Sequence, residues 1–153
     1  MGRRIIMLDV DGVLNHVRTR SRTRDGWMFV EDYLVERLHQ IVEATGAEIV
    51  LSSTWRVDWH PEDESQNGLC FEDLREKLAA YGMNIVDRTG EFHHFRGQEI
   101  REWLDEHSGT IESLVILDDM YDMGELTPFL VQTDAAVGLT DEDVRAAIEI
   151  LNN

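Results

Sequence analysis

Five short apolar runs alternate with stretches of helical periodicity along this chain. Three of them stop on acidic or hydroxyl residues. RIIML at 4–8 ends at Asp9, with Asp11 two residues on; AEIVL at 47–51 meets Ser52 and Ser53; LVIL at 114–117 meets Asp118 and Asp119. MNIV at 83–86 and FLVQT at 129–133 are further runs of the same kind. Their length and continuous apolar character predict strands buried on both faces. Between them, Leu34, Leu38, Ile41 and Val42 share one helix face in a segment closed by Gly46. Phe71, Leu74, Leu78 and Tyr81 mark a second helix closed by Gly82, and Ile100, Trp103 and Leu104 a third starting near Gly97. Thr140 followed by three acids predicts the N-cap of a last helix, with Val144, Ala147, Ile148 and Leu151 inward.

Strand–helix alternation of this kind indicates an α/β fold with a parallel sheet covered on both sides. Ligands bind such sheets outside the carboxyl ends of the strands. The residues just after the runs are therefore the ones to inspect. Several carboxylates converging there repel one another unless a hard divalent cation joins them, and Mg²⁺ suits a few carboxylates with open water positions. With a hydroxyl and a cationic side chain added, the set suits phosphoryl transfer, in which a carboxylate can attack phosphorus.

At 153 residues the chain has the size of one domain, and 42% apolar residues can build its core. No apolar run reaches membrane-spanning length, and without a cationic stretch leading into an apolar segment at residue 1 no secretory signal is expected. A single cysteine, Cys70, excludes an internal disulfide and a cysteine zinc cluster, so the expected compartment is the cytoplasm. The net charge of −17 argues against non-specific nucleic-acid binding by the whole surface. It is unevenly spread: residues 1–24 hold six arginines against two aspartates. Arg18, Arg20, Arg22 and Arg24 alternate with Thr19, Ser21 and Thr23. That spacing fits a solvated loop, or a β-hairpin over the site that turns several arginines to one face.

The motifs resemble a known group. LDVDGVLN at 8–15 is similar to the first motif of the haloacid dehalogenase (HAD) superfamily, LSST at 51–54 to its second and ILDD at 116–119 to its fourth. Arg96 in FRGQEIREWL stands where the third motif has a lone basic residue. More closely, VLSSTWR, RGQEIREWL and VILDD resemble the small HAD domains of RNA-repair proteins. The resemblance implies a Rossmann-like three-layer sandwich with strand order 3-2-1-4-5 and Asp9 on the central strand. It also implies that Asp9 is the nucleophile and a Mg²⁺ ligand. Asp11 would be the general acid and base, and would ligate the metal through its backbone carbonyl. Ser53, or Ser52 beside it, would bind a phosphate oxygen, and Arg96 the phosphate. Asp118 would ligate Mg²⁺ with Asp119, Asp122 being a second spacing found in the superfamily. The flap at 15–30, where Arg18 and Arg20 would meet substrate, and the insertion at 57–70 are too short for a separate cap domain. The implied function is Mg²⁺-dependent hydrolysis of a phosphomonoester through an aspartyl phosphate. The expected partner is a phosphorylated small molecule or a nucleic-acid end, with no membrane, and no oligomeric state is implied.

Other readings carry less. A calcium loop starting at Asp9 would put Arg20 where a bidentate glutamate belongs. A receiver domain needs its phosphorylated aspartate after the third strand and a lysine after the fifth, and only Asp87 is offered. A non-catalytic phospho-ligand-binding domain of the same fold would have no use for both Asp9 and Asp11. His93 and His94 are a paired histidine in a loop, more often a surface feature than a catalyst. Trp55 is expected to pack, with base stacking the alternative. Trp27, Trp59 and Trp103 are expected to be core or loop anchors, and Cys70 a small buried hydrophobe.

Overall fold

In the computed structural model, strand β1 (Arg3–Leu8) lies between β2 (Glu48–Leu51) and β4 (Ile111–Asp118). The edges are β3 (Ile85–Arg88) and β5 (Leu130–Gln132), so the all-parallel sheet runs β3-β2-β1-β4-β5, as the resemblance implied. The structure describes residues 2–90 and 95–153; His93 and His94 lie outside them.

Alternation along the strands divides the core into two layers. Ile6 and Leu8 of β1 point to one face, with Ile49, Leu51, Val115 and Leu117 of its neighbours. Helices α1 (Asp32–Thr45), α2 (Leu69–Ala79) and α4 (Asp141–Asn152) cover that face through Leu38, Leu74 and Ala147, among others. Ile5, Met7, Val50, Leu114 and Ile116 point to the other face. There α3 (Arg96–Glu106) supplies Ile100 and Trp103, and a 3₁₀ turn at Gly124–Phe129 adds Leu126. At about 1.5–3 kcal/mol per fully buried large apolar side chain, β1 alone contributes substantially to stability.

Helix boundaries follow local chemistry. Gly46, in the left-handed region, closes α1 with its N–H on the Val42 carbonyl at 2.7 Å. Thr140 and Asp143 form a reciprocal capping box at the start of α4. Two strands differ from their apolar runs. The third starts at Ile85, because Met83 still belongs to the turn leaving α2: its N–H bonds the Leu78 carbonyl at 3.0 Å. The fifth starts at Leu130, because Phe129 ends a 3₁₀ turn containing Pro128, whose ring nitrogen has no hydrogen to give a ladder.

Neither insertion forms a cap domain. Between residues 15 and 30 only Asn15, Thr19 and Val30 are buried, and between 57 and 70 none is. The first insertion does contain a hairpin. Arg22 pairs with Met28 in an antiparallel bridge, Thr23 N–H bonds the Trp27 carbonyl at 2.9 Å, and Gly26 makes the turn.

Candidate active site

Strand register assembles the site. Leu8 of β1 pairs with both Leu51 and Leu117, so the next residues, Asp9, Ser52 and Asp118, emerge at one level. The ladder continues past the strands: Asp9 N–H bonds the Leu117 carbonyl at 3.0 Å and Ser52 N–H the Leu8 carbonyl at 2.9 Å. Asp9, Asp118 and Asp119 each bring a carboxylate oxygen within 4.8 Å of the others. Asp122 is exposed and outside this cluster. The guanidinium of Arg96, first residue of α3, enters from the side: Nη1 lies 2.7 Å from Asp118 Oδ2 and 3.2 Å from Asp9 Oδ1.

This charge balance perturbs the acids. Burial, then repulsion from Asp118, pushes the Asp9 carboxyl well above its ordinary range, against the pull of Arg96. Burial also pushes Asp118 up, with Arg96 and the Met120 N–H (2.9 Å from Asp118 Oδ1) pulling the other way. For Arg96 burial works against the charge, yet Asp9 and Asp118 outweigh it and keep the guanidinium protonated. Among the described residues, the three grouped carboxylates Asp9, Asp118 and Asp119 thus share the guanidinium that Arg96 sets against Asp9 and Asp118.

Asp11 is held apart from the cluster. Its Oδ1 accepts from Asn15 Nδ2 at 2.9 Å and its Oδ2 from the Trp55 indole N–H at 3.1 Å. Asn15 in turn accepts the Gly12 N–H at 3.0 Å, which closes the loop after β1. Gly12 has φ +83°, and a Cβ there would lie 2.5 Å from Asp119 Oδ2. Only glycine satisfies both the backbone and the carboxylate packed on it. Ser53 Oγ accepts the Trp55 N–H at 3.1 Å and keeps its own hydrogen to donate, whereas the Ser52 hydroxyl is fully buried with no partner among the described residues.

Two residues outside the motif roles tie the elements together. Arg56 Nη2 bonds Glu99 Oε2 at 2.6 Å, both buried, while Arg56 Nη1 holds the Ser53 carbonyl at 3.1 Å. Glu99 Oε1 lies 3.9 Å from Arg96 Nε. The pair links the loop after β2 to the first turn of α3, where a carboxylate also suits the helix dipole. The i,i+3 spacing of Arg96 and Glu99 on a helix was the available sequence signal. Arg88 is likewise committed, to the Arg56 and Trp59 carbonyls and the Trp59 ring. Removing one partner of a buried pair strands the other charge, so Glu99→Ala is expected to lower stability by about 3–5 kcal/mol in urea unfolding. Replacing Arg56 and Glu99 together by Met and Leu should recover much of that loss; equal losses for the single and double variants would contradict the pairing.

The tryptophans separate. Trp103 is buried and bonds Asp87 at 2.9 Å, and Trp59 stacks on Phe71 with centroids 5.6 Å apart. Trp27 is no anchor: it is 64% exposed on the hairpin, because the flap has no core of its own to receive it. Cys70 is only half-buried, at the start of α2, so it is not the buried hydrophobe expected. Of the flap arginines, Arg22 is spent on the flap itself, binding the Thr19 and Gly26 carbonyls at 3.0 Å each. Arg18, Arg20 and Arg24 are exposed.

An open parallel α/β sheet with acids at the carboxyl ends of its central strands, and the Arg96 guanidinium among them, has the architecture of a HAD domain. Residues 5–144 match the family described as the HAD domain in Swiss Army Knife RNA repair proteins, and the chain belongs to that family. A comparison with curated proteins finds no match. Among the described residues no helix is long and apolar enough to cross a membrane.

Proposed function

We propose that the domain hydrolyses phosphomonoesters with Mg²⁺ through a phosphoryl group carried on Asp9. The observation that carries this reading is the Arg96 Nη1 atom set between Asp9 and Asp118, with Asp119 alongside. It joins a buried carboxylate nucleophile to the cation that a transferring phosphoryl group needs. The donor set fits a magnesium ion: hard carboxylate oxygens, closely grouped, with more negative charge than Arg96 balances. Asp9, Asp118 and Asp119 would hold it, with the Asp11 backbone carbonyl. When bound, Mg²⁺ neutralises the phosphoryl oxygens and the carboxylates around them.

In the first half-reaction an Asp9 oxygen bonds phosphorus while the ester P–O bond breaks and Asp11 gives its proton to the leaving oxygen. In the second, Asp11 takes a proton from water, the water oxygen attacks phosphorus, and the bond to Asp9 breaks. Inorganic phosphate leaves, with Asp9 restored and Asp11 reprotonated. Asn15 and Trp55 hold the Asp11 carboxyl in one plane throughout. Ser53, with its hydroxyl hydrogen to give, and Arg96 bind the phosphoryl oxygens.

The test is a panel of nucleotides, sugar phosphates and 3′- or 5′-phosphorylated oligonucleotides, with Mg²⁺ and with excess chelator. Hydrolysis that disappears in chelator is expected; full activity in chelator contradicts the reading. Binding has its own readout. Carboxyls raised in the folded state stabilise it below their unfolded pKa near 4, and that contribution is lost as pH rises through their raised values. At neutral pH the metal-free site is therefore under strain from its own charge. Mg²⁺ should raise the melting temperature, and by more at pH 7.5 than at pH 5.5. An unchanged melting temperature at millimolar Mg²⁺ would count against the site.

A nucleic-acid end as substrate is favoured by the exposed Arg18, Arg20 and Arg24 and by the family's description. Changing these three to Ser, with Arg22 kept for the hairpin, should raise KM for a phosphorylated oligonucleotide more than for an aryl phosphate. It should also flatten the log–log salt dependence by about 0.7 for each arginine that meets a single-strand phosphate. An unchanged oligonucleotide KM would remove the flap from substrate binding.

A further inference from the structure

Between the hairpin and the loop after β2 lies a pocket of about 410 Å³ that the phosphoryl chemistry does not use. Its apolar lining includes Trp27, Trp55, Val57 and Leu69, and its acids are Asp25 and Asp58. Trp27, Val57 and Leu69 are 64%, 52% and 73% exposed, so three large apolar side chains that the core does not need are gathered around one hollow. Trp55 joins the pocket to the catalytic centre: it lines the hollow while its indole N–H holds Asp11 Oδ2 at 3.1 Å. Asp11 is the group assigned to the leaving oxygen, so whatever the phosphate is attached to extends toward Trp55.

From this geometry we infer that the pocket binds the nucleobase of the phosphorylated nucleotide, on the aromatic faces of Trp27 and Trp55, with Asp25 and Asp58 accepting from its amino groups. The inference rests on the phosphomonoesterase reading for the position of Asp11 and adds the class of leaving group. A flat ring fits an aromatic lining, since every base offers a π-face to stack. Carboxylates accept hydrogen bonds and cannot donate them, so they select edges rich in N–H. Guanine, adenine and cytosine carry an exocyclic amine; uracil carries none. The space is of ordinary ligand-pocket size, larger than a phosphate alone requires. Two further features support an electronegative pocket beside Asp11. Gly68, where a Cβ would lie 2.7 Å from Asp58 Cγ, lets that carboxylate pack close to the start of α2. Burial, then Asp58 and Asp11, push the Cys70 thiol up. Aromatic rings with acids also suit a quaternary ammonium group. The exposed Arg18, Arg20 and Arg24 on the same flap favour a polyanion instead.

The test is calorimetric binding to the Asp9→Asn protein, whose site holds ligand without turning it over. The probes are the 3′- and 5′-monophosphates of guanosine and uridine, ribose 5-phosphate and phosphocholine. A guanosine monophosphate is expected to bind at least about ten-fold more tightly than ribose 5-phosphate, and more tightly than uridine monophosphate. Trp27→Ala, at an exposed position, should remove most of that advantage, and Trp27→Phe should restore part of it. Asp58→Asn should narrow the gap between guanosine and uridine. Equal affinities for nucleotide and ribose phosphate, tighter binding of phosphocholine, or an advantage that survives Trp27→Ala would each overturn the assignment. Hydrolysis by the wild-type protein is read separately. Base-dependent binding without hydrolysis of any phosphomonoester refutes the phosphatase reading alone, and hydrolysis with base-independent binding refutes the pocket alone.

Discussion

Asp9→Asn is expected to lower turnover of any phosphomonoester by about 10⁴–10⁶-fold, the range in which removal of a covalent nucleophile falls. Asparagine has nearly the shape of aspartate, and the hydrogen bond from residue 9 N–H to Leu117 is backbone, so the loop after β1 stays in place. The fold should not suffer. The wild-type carboxyl is held above its ordinary range by burial and by Asp118, so its ionised form is a burden on the metal-free protein at neutral pH. In chelator the variant should therefore melt at or above the wild-type temperature. A variant that is inactive because it is unfolded would show the opposite. Near-wild-type turnover by folded Asp9→Asn protein would end the assignment of the nucleophile.

Arg96→Ala is expected to cost about 10³–10⁵-fold in turnover, the scale on which arginines stabilise a transferring phosphoryl group. The arrangement around Arg96 also separates charge from shape. A single nitrogen, Nη1, contacts both Asp118 and Asp9, while Nε faces Glu99 at 3.9 Å. A lysine ammonium keeps the charge but not this branched reach. Arg96→Lys should retain intermediate activity, lower than wild type by the loss of one charge-assisted hydrogen bond, about 1.5–3 kcal/mol. Arg56 and Arg88 cannot take over, because their guanidinium groups are already bound to Glu99 and to backbone carbonyls. Equal activity of wild type, Lys and Ala variants would mean that the phosphate cation lies elsewhere.

Much of this site was legible in the sequence because parallel sheets turn sequence into position. A buried strand ends where its apolar run ends, and equal-level ends of β1, β2 and β4 bring Asp9, the serines and the Asp118–Asp119 pair to one edge. Arg96 was legible through motif order, not through charge, since the chain holds thirteen arginines. The residues that hold these groups in place were harder to see. Nothing in an apolar pattern marks Glu99 as buried; a carboxylate on a helix is usually solvated, and the bond from Arg56, forty-three residues earlier, offsets its burial. Asn15 lies inside the first motif, but its two hydrogen bonds to the Asp11–Gly12 turn are a three-dimensional fact. Trp27 was misjudged because aromatic residues are inside far more often than out, and a short flap has no inside.

The proposed mechanism depends on a covalent phosphoryl group at one named carboxylate. Its most direct test is to quench the protein in acid during turnover of a phosphomonoester with Mg²⁺, reduce any acyl phosphate with borohydride, and locate the modified residue by peptide mass spectrometry. The mechanism predicts reduction of residue 9 to homoserine, dependent on both substrate and Mg²⁺ and absent from Asp9→Asn. Turnover with an unmodified Asp9, or with the mark on Asp118, Asp119 or any other residue, would contradict it.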